Sequence, residues 1–163
     1  MRISAAVAAT LVVAVSCGGD GVAGGCDTAF QERFDPASGV HVIDGTDVIY
    51  LTDPPTSGPH GVVPVPEGAL PEPIKRTTQV AILEAGKVLV QYDDAALSSG
   101  DVETLRTIED PRVVSAPNPD LDEAIVVTAW TWKMVCASGD DEAVTAIVDF
   151  AEQRADAAPG SDL

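Results

Sequence analysis

Histidine is nearly absent from this chain: there are two in 163 residues, His41 and His60. Cysteine is almost as scarce at three, and Lys plus Arg number 9 against 26 Asp plus Glu, for a formal net charge of −17. Each shortage excludes something. The negative field of such a chain repels nucleic acid and anionic lipid head groups, so neither is expected as a partner. No C-x-x-C pair or histidine cluster accompanies a cysteine, which sets aside a zinc site built on thiols. There is no G-x-S-x-G elbow and no recognisable orienting acid. Ser57 and His60 are close in sequence, but serine beside glycine in a proline turn is commonplace, and no catalytic residue is assigned. No cofactor is expected, and no internal repeat is visible.

What is present begins at the N-terminus. Met1 and Arg2 precede an apolar stretch from Ile3 to Val15, the layout of a secretory signal peptide over residues 1–16, too short for a membrane span. The stretch Ala14-Val15-Ser16-Cys17-Gly18 resembles the lipobox of bacterial lipoproteins, with Ala14 where leucine is most usual. That resemblance implies acylation of Cys17 and attachment to the extracytoplasmic side of the cell membrane through lipid alone. An ordinary signal peptide cut near Ser16 is the other reading. If Cys17 carries lipid, Cys26 and Cys136 remain as a pair in an oxidising compartment, and a disulfide between them is expected. Closing so long a loop stabilises by about 4.7 kcal/mol in the chain-entropy model.

Residues 17–25 then read as the lipidated cysteine and a glycine-rich tether, 26–156 as a single domain with one core, and 157–163 as a frayed tail. His41 to Leu51 reads as a hairpin turning at Asp44-Gly45. From Asp53 to Pro73, seven prolines and three glycines forbid a helix or a central strand, leaving an ordered loop or a surface segment. Lys87 to Tyr92 and Arg112 to Ala116 are strand-like, the second stopped by Pro117. Between them Ser98 or Ser99 caps a helix presenting Val102, Leu105 and Ile108.

Ile125 to Cys136 reads as one long strand with Val126, Thr128, Trp130, Trp132, Met134 and Cys136 on one face. The company of those tryptophans favours burial under the last helix over an exposed stacking platform. Asp140 or Asp141 caps that helix, whose stripe is Val144, Ile147, Val148 and Ala151. The order of elements predicts an α+β domain: a mixed or mostly antiparallel sheet with two helices packed on one face.

The stretches "HVIDGTDVIYLTDPPTSGPH", "VAILEAGKVLVQYDD", "VVSAPNPDLDEAIVVTAW" and "IVDFAEQ" resemble the bacterial family called domain of unknown function 3105. PPTSGPH, residues 54–60, is the most specific of these motifs. The resemblance implies a second signature, H-x-L-E-H-G, and with it a metal site for the family. Here the two signature histidines are replaced by Ala81 and Ala85, around Leu83, Glu84 and Gly86. Two functional readings stay open. One is a non-catalytic structural or interaction module of the cell envelope, in which His60 orders its own loop. The other is a metal- or small-ligand-binding site formed by His41, His60 and Glu84, with Asp44, Asp53 or Tyr50 nearby. Two imidazoles and a carboxylate suit zinc or copper.

Overall fold

The computed structural model describes residues 25–43 and 46–161. The signal peptide, Cys17, most of the tether and the Asp44-Gly45 turn lie outside the described residues. No helix among the described residues is long and apolar enough to cross a membrane.

The order of elements is β1 (Phe30–Gln31), β2 (His41–Val42), β3 (His60–Gly61), β4 (Gly68–Ala69), α1 (Arg76–Glu84), β5 (Val88–Tyr92), α2 (Ser99–Arg106), β6 (Val113–Pro117), β7 (Ile125–Ala129), β8 (Trp132–Cys136) and α3 (Asp141–Arg154), closed by a 3₁₀ turn at Ala155–Ala157. Six strands form one sheet in the order β1-β8-β7-β5-β6-β4. β4, β6 and β5 run parallel, and β5, β7, β8 and β1 alternate, so the sheet is mixed as the α+β reading requires. β2 and β3 make a separate parallel pair.

Strand alternation sorts the core into two layers. Val88, Val90 and Tyr92 of β5 face a cluster containing Leu105 of α2 and Ala143, Ile147, Phe150 and Ala151 of α3. Leu89, between them in sequence, faces the other way, against Val80, Ile82 and Leu83 of α1. There are thus three helices rather than two, and α1 covers the face opposite α2 and α3. Ser98 and Asp140 supply the caps: Ser98 forms a capping box with Asp101, and Asp140 accepts from the Ala143 amide at 2.9 Å. On α3 the buried stripe is Ala143, Ile147, Phe150 and Ala151, rotated from the expected one because Phe150 contributes more apolar area than Val148.

The stretch from Ile125 to Cys136 is two strands. An unbroken strand of that length would run about 40 Å, whereas its partner β5 has five residues to offer. The chain instead reverses at Trp130-Thr131, with Ala129 facing Trp132 and Thr131 in the left-handed region at φ 61°. A β-branched residue there is unfavourable. Its amide donates to Thr56 O at 2.9 Å and its carbonyl accepts from the Glu32 amide at 2.8 Å, which hold it in place. The reversal separates the tryptophans. Trp130 is buried on the α1 side, edge-on to Phe34, while Trp132 lies on the α3 side with the Arg154 guanidinium 3.6 Å above its ring.

Cys26 and Cys136 form a disulfide across 110 positions, both buried in the larger core cluster. Residues 157–161, the described part of the tail, pack on the domain. Ala158 is buried in the α1 cluster, and the Gly160 amide donates to Glu84 O at 2.9 Å.

Candidate functional site

The segment holding PPTSGPH is tied down at both ends and at several points along its length. At its start, the buried Lys133 ammonium donates to Asp53 O at 3.1 Å and pairs with Glu32 at 2.9 Å, while Arg76 pairs with the Asp53 carboxylate. Pro54, Pro55, Thr56, Ser57 and Gly58 are all buried. Thr56 O takes the Thr131 amide, and Ser57 Oγ accepts from the Asp35 amide at 2.9 Å. Gly58 has φ +131°, and its missing Cβ leaves room for the Tyr50 ring, which a methyl would meet at 2.9 Å. The Tyr50 hydroxyl donates to Pro59 O at 2.7 Å, and burial pushes its pKa up to about 12. Asp53 and Tyr50, considered above as further ligands, are therefore engaged elsewhere, and Asp44 lies outside the described residues.

At the end of this loop the His60 amide donates to Val40 O at 3.1 Å and opens the parallel pairing of β3 with β2. The register is His41 opposite His60 and Val42 opposite Gly61. This pairing replaces the expected hairpin. Ile43 O does accept from the Thr46 amide at 3.2 Å, but residues 46–50 form no strand, because the proline loop brings β3 to β2 instead. Directly opposite residues in a sheet present side chains to the same face. The two imidazoles consequently meet edge to face, with centroids 4.9 Å apart.

Glu84 arrives from the last turn of α1. A Schellman motif ends that helix: the Gly86 amide donates to Leu83 O at 3.1 Å and the Lys87 amide to Ile82 O at 3.2 Å. Gly86 sits at φ +79°, and an added Cβ would press on Ser161 and on Ala155 O. This stop fixes the exit of the chain into β5 and leaves Glu84 aimed at β3. Glu84 Oε2 lies 2.6 Å from His60 Nε2. His41, His60 and Glu84 each offer one ligand atom, all within 4.8 Å of one another. The structure thus assembles the three predicted residues from three separate elements.

The tautomer of His60 gives this cluster its chemistry. Nδ1 lies 3.1 Å from Gly58 O, and a carbonyl only accepts, so Nδ1 carries a proton. In a neutral ring, Nε2 then presents its lone pair to a carboxylate oxygen. The side chain is 2% exposed, and although the separation is that of an ion pair, Nε2 has no aligned hydrogen-bond partner. Two acceptors this close in a buried place repel unless a positive charge lies between them, either a proton or a metal cation. An Nδ1–H···O=C bond is also the arrangement that orients an imidazole for ligation through Nε2. Donors around a tetrahedral ion at zinc bond lengths stand roughly 3.4 Å apart, a spacing that the observed range brackets.

The cluster opens into a cavity of about 320 Å³ whose walls include Val62, Val63, Val65, Ala81 and Ala85. Both alanines singled out in the sequence therefore border the cluster. Neither offers a donor atom, so the ligand set among the described residues is two imidazoles and one carboxylate.

Residues 41–162 match a family model described as a protein of unknown function, DUF3105. No curated protein and no solved structure matches the chain.

Proposed function

This chain belongs to the DUF3105 family, and from the geometry of its site we propose that it is a non-catalytic, lipid-anchored module of the cell envelope that binds a divalent late first-row metal, zinc or copper, through His41, His60 and Glu84. The observation that carries this reading is the buried His60 Nε2, with no aligned hydrogen-bond partner, facing a carboxylate oxygen at 2.6 Å. The nitrogen-rich donor set favours zinc or copper over calcium or magnesium. A net charge of −17 adds a field that concentrates cations. Export and acylation at Cys17 rest on the N-terminal motif. They would place the site outside the cytoplasm, reached from the envelope space.

A second reading rests on the same 2.6 Å contact. With a proton in place of the metal, His60 and Glu84 form an ion pair that pins the proline loop to α1, and the module is structural. Titrating the full-length chain with zinc and copper decides between the two. Metal binding predicts tight saturable uptake at one equivalent, lost by an order of magnitude or more in Glu84→Gln and in the His41→Ala, His60→Ala double variant. Uptake no tighter than in the double variant leaves the ion pair as the role of the cluster. Cys17→Ser should release the protein from the membrane fraction, and unchanged partitioning would overturn the lipid anchor.

A further inference from the structure

The three donors found among the described residues satisfy a tetrahedral ion only in part, and the fourth position of such a site is open to an outside ligand. The structure indicates where that position lies. His60 is buried in its loop and Glu84 sits on the last turn of α1, and no further His, Cys, Asp or Glu among the described residues joins them from those sides. The remaining side is the cavity of about 320 Å³, and its walls select among ligands. Val62, Val63, Val65, Ala81 and Ala85 present methyl groups, which suit a ligand with a flat apolar body and no second charge. An anionic donor would add negative charge beside Glu84 in a chain already at −17.

Building on the metal reading, we propose that the occupied site takes an exogenous imidazole-type nitrogen donor, seated over Ala81 and Ala85. The donor is neutral, planar and of the size the cavity admits. It supplies one lone pair to the metal and leaves its carbon edge against the alanine and valine methyls. His41, exposed at the mouth, keeps the metal reachable from solvent. Ile43, 83% exposed, extends the apolar surface beyond the cavity. The donor is either a small molecule bearing imidazole or a histidyl side chain of a polypeptide.

The test uses the full-length chain loaded with cobalt(II), whose visible absorption reports its ligands. Imidazole, a capped histidine tripeptide with apolar flanks, and acetate are titrated separately. Imidazole free in solution competes for metal and by itself weakens apparent metal affinity. A mixed complex reverses that sign, and by linkage the metal and the donor strengthen each other, by about tenfold for an ordinary coupling. The expected result is a saturable spectral change with imidazole or the tripeptide, a rise in cobalt affinity, and neither effect with acetate. The ratio of the imidazole and tripeptide affinities identifies the source of the donor.

Ala81→Leu and Ala85→Leu fill the cavity and leave all three protein donors in place. Each should retain cobalt binding and lose the imidazole effect. Ala85 is partly exposed and tolerates the larger side chain if the buried Ala81 does not. If the wild-type chain binds no cobalt, the metal reading itself has failed. If cobalt binds but imidazole only weakens it, or if the effect persists in both leucine variants, the metal reading stands and the open-site inference is overturned.

Discussion

Gly58→Ala is the most informative single change in the protein, because two independent penalties act on one methyl group. Gly58 has φ +131°, a conformation that L residues rarely adopt. Forcing alanine into it costs about 1–3 kcal/mol. The new Cβ would also lie 2.9 Å from Tyr50 Cδ1, 3.0 Å from Cε1 and 3.2 Å from the Asp35 carboxylate. The ring cannot simply swing away, since its hydroxyl is held by Pro59 O at 2.7 Å. Overpacking of this kind adds about 1–3 kcal/mol. Taking the middle of both ranges, the variant should lose about 4 kcal/mol and melt about 10 °C or more below the wild type. Gly39→Ala is the control, because an added Cβ there meets nothing within 4 Å and Gly39 is exposed. Circular dichroism melts of the two variants and the wild type are sufficient. The site should feel the change as well, for Gly58 O is the acceptor that fixes the His60 tautomer. A Gly58→Ala melting point within about 2 °C of the Gly39→Ala control would mean that the loop is not locked as described.

Removing the Cys26–Cys136 disulfide with a double alanine variant should lower stability in urea by about 2–5 kcal/mol, and a loss within about 0.5 kcal/mol would show that the bridge does not restrain the unfolded chain. Tyr50→Phe should cost about 1 kcal/mol for the lost hydrogen bond, and it should also change the alkaline limb of the stability profile. The Tyr50 pKa is raised from 10.0 to about 12 by burial, so its contribution is complete below pH 10 and disappears as the pH rises towards 12. The wild type should therefore lose stability across that window more steeply than the phenylalanine variant, and parallel profiles would contradict the assignment. Metal affinity should fall on acidification, because protons compete for the imidazole ligands; isothermal calorimetry at several pH values reads this directly, and pH-independent affinity would argue against histidine ligation.

The readings that held share a local cause. Ser98 with Asp101 and Asp140 before Ala143 are caps written within a few residues, and each works through its own backbone neighbours. The apolar run Val88-Leu89-Val90 of β5 was legible because a strand buried on both faces favours apolar side chains at successive positions. The readings that failed depended on partners distant in sequence. Asp44-Gly45 signals a hairpin, yet β2 pairs with β3, because the proline loop returns His60 to the Val40 carbonyl. Nothing at Trp130-Thr131 resembles a turn. The chain reverses there because β5 is short and because Thr56 and Glu32 engage the Thr131 backbone. The α3 stripe was misplaced by a fraction of a turn, since Phe150 rather than Val148 faces the disulfide side of the sheet.

By itself, then, the amino-acid sequence determined the α+β class and the caps of α2 and α3, each set by short-range hydrogen bonding and side-chain periodicity. It also singled out His41, His60 and Glu84 as the residues able to share a ligand. Tertiary structure alone decided that they meet. Their convergence requires the parallel register of β2 and β3, the rigid path of residues 53–60 and the docking of α1 on β3. It also decided the tautomer of His60 and the open side of the cluster, because both depend on which carbonyl and which methyl groups the folded chain brings alongside the ring.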